Sequence, residues 1–215
     1  VLKRILSKTS FSMASQDVRY YLNGMLLELE GSKVNGVATD GHRLAFSSAQ
    51  SVSGGLEVRN ILPRKAVLEL SKLLSTGEET VDLMIGPSYV DVKCQNLSFS
   101  SKLIDGKYPD YDKVFPTGDP LPLEISKDLL QSALSRASVL SNEKYRGVRF
   151  QLSKGKLKLT ANNPEQESAE EVLDVVYEGV ELEVGFNIGY LLDVLNSIES
   201  ETVHFEFYGE DSSCI

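Results

Sequence analysis

The sequence predicts an α+β protein made of two tandem copies of one module. Each copy has two helices packed on one face of an antiparallel sheet. Three observations carry this reading. A set of elements recurs at a spacing of 123–125 residues. Strict apolar–polar alternation marks strands, and apolar residues three and four apart mark helices. A Pro- and Gly-rich stretch separates the copies.

The repeat is read from four pairings in register. Gly24 matches Gly147 and Asp40 matches Asn163, both 123 apart. A Ser-containing segment, predicted helical, lies upstream in each copy at 8–14 and 133–139. A second helix lies downstream, at 63–70 and 187–194, offset by 124. Leu2, Ile5 and Leu6 already fall on one helical face, so the chain is expected to be a piece of a longer polypeptide. Residues 19–29 and 142–152 read as the long strand of each copy. Alternation marks further strands at 90–94, 157–160, 181–184 and 203–207. Asp40-Gly41-His42-Arg43 reads as a hairpin turn between strands at 37–39 and 44–46. The spacing of Val67, Leu70, Leu73 and Leu74 predicts a helix, with Pro63 in its first turn, where a missing N–H costs nothing. Three prolines and one glycine at 115–122 predict a stiff linker. The expected domains are therefore 1–119 and 120–215.

With 215 residues, 41% hydrophobic and 25% charged, the composition is that of an ordinary folded protein and argues against disorder. No apolar run approaches the roughly 18 residues of a membrane span, and no basic-then-apolar leader opens the chain, so a cytoplasmic protein is expected. Cys94 and Cys214 are too few for a disulfide framework and read as reduced thiols. Two histidines without a Cys/His cluster give no structural metal site, and no cofactor is expected.

The net charge of −9 hides an uneven distribution. Residues 1–119 balance at zero, residues 120–160 carry +5, and residues 161–215 hold 14 acids with no Lys or Arg. An acidic protein can still carry a local basic strip, because salt screens remote charge over roughly 8–10 Å. Arg64, Lys65 and Lys72 fall opposite Val67, Leu70 and Leu74 on the second helix, and Arg4 and Lys8 add cations on the first. Sequence-independent phosphate contact fits this pattern. A solvated helix face carries it as well. Tyr20 and Tyr21, beside Arg19 and Gln16, could stack on bases or enter a core as a strand.

Catalytic signals are weak. Asp40, His42 and Arg43 are the one place where an acid, a histidine and an arginine meet. There is no phosphate loop, nucleophile elbow or paired acidic motif. The residues favour a binding or scaffold protein over an enzyme using Asp40, His42 and Arg43.

Six segments (11–14, 16–24, 38–45, 105–111, 141–149 and 161–167) resemble the bacterial sliding clamp, the beta subunit of the replicative DNA polymerase. The resemblance runs along essentially the whole chain and covers the family's second domain and most of its third. It implies that the family's first domain and a short C-terminal end are absent from this chain. It also implies two tandem DNA-clamp-type domains forming an arc of a ring, a head-to-tail homodimer in the full-length protein, and a non-catalytic processivity factor that encircles duplex DNA. Partners implied are double-stranded DNA, and the replicative polymerase, clamp loader and repair proteins through short linear motifs.

Three sets of residues carry over from the resemblance. Peptide-binding positions are Arg19, Tyr21, Leu22, Thr39, Gly41, His42, Arg43, Leu44, Pro109 and Val114. DNA-contacting positions are Gln16, Arg19, Tyr20, Tyr21, Arg64 and Lys65. The subunit interface matches Val139 and Leu140, with Glu165, Glu167, Glu170 and Glu171 facing basic residues of the absent domain. Without that domain the chain is expected to be monomeric. A free-standing peptide-binding adaptor is the alternative from another class.

Overall fold

The structure, a computed structural model, describes residues 1–50, 57–74, 80–142 and 144–215. Glu143, within one of the six motifs, lies outside the described residues. The chain divides into two compact units, Val1–Pro109 and Asp110–Ile215. The division falls ahead of the Pro-rich stretch, which the sequence marked as the linker. Residues 110–119 are grouped with the second unit. They include a short 3-10 turn, Tyr111–Val114, with Tyr111 buried and its ring edge-on to Phe115 at 6.5 Å.

The first unit opens with helix α1 (Leu2–Thr9) and continues with strands β1 (Gly24–Glu30), β2 (Lys33–Thr39), β3 (Leu44–Gln50) and β4 (Val58–Pro63). Helix α2 (Arg64–Leu73) follows, then β5 (Asp82–Ile85), β6 (Tyr89–Cys94) and β7 (Leu97–Lys102). The strands form two antiparallel sheets, ordered β3-β2-β1-β4 and β5-β6-β7. Leu2, Ile5 and Leu6 from α1, Val67 and Leu70 from α2, Met25, Leu27 and Leu29 from β1, and Val90 and Val92 from β6 share one core. Burying each such aliphatic side chain contributes roughly 1.5–3 kcal/mol. Gly36 on β2 is required by this packing: a Cβ there would lie 2.4 Å from the Ile5 side chain.

Helix α1 ends earlier than its Ser-containing segment suggested. The Thr9 hydroxyl turns back onto the Ile5 carbonyl at 2.8 Å, and the chain then tightens into a 3-10 turn, Ser10–Ser12. Pro63 closes β4 and caps α2 in an extended conformation, instead of entering the first turn. Leu73 is half exposed, so the apolar stripe of α2 is narrower than its spacing implied.

The second unit comprises β8 (Leu121–Ser126), α3 (Lys127–Val139), β9 (Gly147–Ser153), β10 (Lys156–Asn162), β11 (Ser168–Asp174), β12 (Val176–Tyr177), β13 (Leu182–Asn187), α4 (Ile188–Ser197) and β14 (Thr202–Phe207). Its larger sheet runs β11-β10-β9-β13, the same order as in the first unit, and its smaller one runs β12-β8-β14. Leu130, Ala133, Leu134 and Ala137 of α3 and Ile188 and Leu195 of α4 meet Phe150, Phe205 and Phe207 in its core. The repeat is thus a repeat of topology. Equivalent strands begin at Gly24 and Gly147 and at Lys33 and Lys156, and equivalent helices at Arg64 and Ile188. Among the described residues, no helix is long and apolar enough to cross a membrane.

Candidate peptide and nucleic-acid surface

Two pieces of irregular backbone in the first unit gather most of the peptide- and DNA-contacting positions named above. One is the loop at 14–23 between α1 and β1. The other is the corner at 39–44 between β2 and β3.

The loop is closed at its neck by the Ala14 N–H, which donates to the Leu22 carbonyl at 3.0 Å. The Asn23 amide bonds both ways to Asp17, accepting from the Asp17 N–H and donating to the Asp17 carbonyl. Asp17 in turn accepts from the Arg19 N–H, Nε and Nη2 at 2.8–3.0 Å. Those bonds hold the Asp17 carboxyl down at about 2, and raise the Arg19 guanidinium above its ordinary value. Gln16 takes a left-handed conformation, with φ 59°. Tyr20–Leu22 form a 3-10 turn, not the start of a strand, and leave the Tyr20 ring exposed and edge-on to Tyr21 at 5.8 Å. Leu22 is buried.

The corner is an aspartate-nucleated turn. Asp40 Oδ1 accepts from the His42 and Arg43 N–H groups, and Oδ2 accepts from Arg43 Nε. Thr39 Oγ1 accepts from the Gly41 N–H and donates to the Arg43 carbonyl at 2.7 Å. Gly41 sits at φ 91°, and a Cβ there would lie 3.0 Å from two nitrogens of Arg19. This position needs glycine for both its conformation and its neighbour. Leu44 starts β3 opposite Thr39. The Asp40 carboxylate is therefore occupied in shaping the turn, which removes the acid that the enzyme reading required.

Tyr108 supports the corner from the other side. Its buried hydroxyl accepts from the Thr39 N–H at 3.1 Å, and burial pushes its phenol up to about 12. Pro109 follows it, exposed. Tyr108 and Phe11 were not singled out from the sequence, because their contacts join distant segments. Asp17 and Asn23 were not singled out either, although their bonds are local to the loop. Val114 is half exposed in the second unit.

Arg64 and Lys65 begin α2. Lys65 is exposed, whereas Arg64 is half-buried and donates from Nη1 to the Met13 carbonyl at 3.0 Å. Lys72, from the same stripe, pairs with Glu69.

In the second unit, Val139 is exposed at the end of α3 and Leu140 is half-buried. The edge strand β11 carries Glu170 and Glu171. Glu170 pairs with Lys158, and Glu171 accepts from Arg136 through both oxygens at 2.5 and 2.9 Å, which lowers its pKa. Glu167 accepts from the Asn163 amide, and Glu165 is exposed. Glu167, Glu170 and Glu171 thus each have a partner within their own unit. Among the described residues, no group of three or more His, Cys, Asp and Glu is placed to hold a metal ion.

Comparison with known proteins gives this arrangement a class. The model of the central domain of the DNA polymerase III beta subunit matches residues 1–110, and that of its C-terminal domain matches residues 112–215. The chain belongs to the DNA polymerase III beta subunit family. It is 52% identical over 202 residues to the beta sliding clamp of Salmonella typhimurium, covering 94% of this chain and 55% of that protein. To the beta sliding clamp of Vibrio cholerae it is 48% identical, covering 100% of this chain and 58% of that protein. The crystal structure of the DNA polymerase III subunit beta from Pseudomonas aeruginosa matches with a TM-score of 0.96 at 48% identity, over 99% of this chain and 58% of that one. Another sliding-clamp structure from that organism, bound to griselimycin, matches with a TM-score of 0.95 at 49% identity, with the same coverage. The chain thus spans little more than half the length of these relatives.

Proposed function

We propose that this chain is the central and C-terminal part of a cytoplasmic sliding clamp. In the full-length protein two copies close head to tail around duplex DNA as a ring, of which these two domains are an arc. The ring tethers the replicative polymerase, the clamp loader and repair proteins through short linear motifs. Processivity then comes from topology, with no chemistry and no cofactor. Family membership supports this reading, and one observation carries it at the site. Arg19, Thr39, Gly41, His42 and Arg43 gather at one surface corner whose two acids are already engaged: Asp40 on the backbone turn and Arg43, and Asp17 on Arg19.

The proposed peptide-binding positions are Arg19, Tyr21, Leu22, Thr39, Gly41, His42, Arg43, Leu44 and Pro109 in the first unit, and Val114 in the second. Aliphatic or aromatic anchors of an extended tail suit an apolar floor such as Leu22 and Leu44 with a cationic rim. The proposed DNA strip is Gln16, Arg19, Tyr20, Tyr21, Arg64 and Lys65. Modest cationic contact allows sliding, because phosphate attraction carries no sequence information. The proposed subunit interface is Val139, Leu140, Glu165, Glu167, Glu170 and Glu171.

Titrating a fluorescent clamp-binding pentapeptide against the chain tests the pocket. His42→Ala and Arg43→Ala are expected to weaken binding about tenfold, or about 1.4 kcal/mol. Unchanged affinity in both variants overturns the assignment. For the ring, the full-length protein is loaded on nicked circular DNA, which is then linearised. A topological clamp falls off the ends, and retention on linear DNA argues for an adaptor.

A further inference from the structure

Two arginines tie the corner to the loop and to the 3-10 turn, Ser10–Ser12, that leads into it. Arg19 reaches from the loop to the Asp40 carbonyl at 3.3 Å. Arg43 reaches back from the corner, its Nη2 donating to the Phe11 carbonyl at 2.8 Å and its guanidinium lying 5.6 Å from the centre of the Phe11 ring. Arg64 grips both ends of the same loop. Its side chain donates to the Met13 carbonyl, and its backbone N–H donates to the Asn23 carbonyl at 3.0 Å. Irregular backbone must place its carbonyls on some donor, and charged donors make the stronger bonds.

We propose that Arg43 and Arg64 are positioning residues for the 14–23 loop, acting through the Phe11 and Met13 carbonyls to hold Gln16, Arg19 and Tyr20 as one body with the 39–44 corner. This rests on the DNA reading of that loop and deepens it. Arg64 serves the strip by fixing the loop, and Lys65, exposed beside it, meets phosphate directly.

Two measurements on the 215-residue chain test this. The first is amide hydrogen exchange across residues 14–23 in the wild type, Arg64→Ala and Lys65→Ala. Arg64→Ala is expected to speed exchange of the Ala14, Asp17, Leu22 and Asn23 amides at least tenfold while β6 stays protected. Lys65→Ala is expected to match the wild type. Wild-type exchange in Arg64→Ala overturns the proposal. Should that variant fail to fold, Arg64→Lys replaces it, keeping the charge but losing the planar fork, with faster exchange at the same amides expected.

The second is affinity for a short duplex as a function of salt. A lost phosphate contact reduces the log–log slope by about 0.9, so Lys65→Ala is expected to lower the slope. Arg64→Ala is expected to lower affinity severalfold with the slope unchanged. A slope reduced by about 0.9 in Arg64→Ala, with the loop still protected, makes Arg64 a direct contact and overturns the proposal. If the wild type binds no duplex, the DNA reading fails, and exchange alone decides the positioning role.

Discussion

Lys3, in the first turn of α1, donates from Nζ to the carbonyl of Leu74, the residue that caps the end of α2, at 2.7 Å. The second unit repeats the device: Lys127 at the start of α3 donates to the carbonyl of Ile198, which caps α4, also at 2.7 Å. In each unit the first helix thus ties down the C-terminal end of the second, where orphan carbonyls and the helix dipole favour a cation. These two lysines are engaged in holding helices. Lys127→Met, which keeps the apolar stem, is expected to destabilise the second unit by about 1 kcal/mol in urea unfolding, with the duplex salt slope unchanged. A lowered slope would place Lys127 on phosphate instead.

Acid is expected to loosen the loop at 14–23. Arg19 holds the Asp17 carboxyl at about 2, below its ordinary 3.8. A depressed carboxyl contributes stability that is fully present above its unfolded pKa and lost as pH falls through the folded value. Pepsin cleavage near Tyr20 and Tyr21 is therefore expected to rise between pH 3.8 and about 2. Asp17→Asn is expected to cleave readily throughout that window. Equal resistance at both ends of it would show that the Asp17–Arg19 pair does not secure the loop.

Gly41→Ala tests the corner. The substitution places a Cβ in the left-handed region and 3.0 Å from Arg19, at an expected cost of about 1–2 kcal/mol. Peptide affinity is expected to fall with Arg19 displaced. Wild-type affinity and stability together would mean that the corner relaxes freely.

Tyr108 predicts a late step in alkaline titration. Burial raises its phenol to about 12, so the neutral form is favoured by the fold. That contribution is present below the ordinary value of about 10 and lost as pH rises toward the folded one. Ultraviolet phenolate titration of the nine tyrosines is expected to include a component near 12 that is lost in Tyr108→Phe, while the raised Tyr177 and Tyr208 remain. Tyr108→Phe also removes the acceptor of the Thr39 N–H, with an expected loss of about 1 kcal/mol.

Much of this molecule was legible in its order of residues. Period-2 alternation located β6, β10, β13 and β14, and pairing Gly24 with Gly147 matched equivalent strands, although those strands were read as beginning five residues too early. Local chemistry also identified the turn at Asp40-Gly41, because an aspartate followed by glycine closes a turn whatever surrounds it. The resemblance to the clamp family was read there as well.

Other features needed the fold. Which cations stay at the surface is set by carbonyls that α1, α2 and the loop bring near them: Lys65 is exposed, while Lys3, Arg43 and Arg64 reach backbone acceptors 32 to 71 residues away. Periodicity put Arg64 and Lys65 on one stripe, but only packing distinguishes a half-buried guanidinium on Met13 from an ammonium in water. Tyr20 looked like a strand residue and became a 3-10 turn, because the Asn23–Asp17 bonds bend the backbone before β1 begins. A sequence fixes periodicity and local turn chemistry because both act over a few residues. The partner of a long cation is chosen by whichever orphan acceptor the tertiary fold carries within its reach.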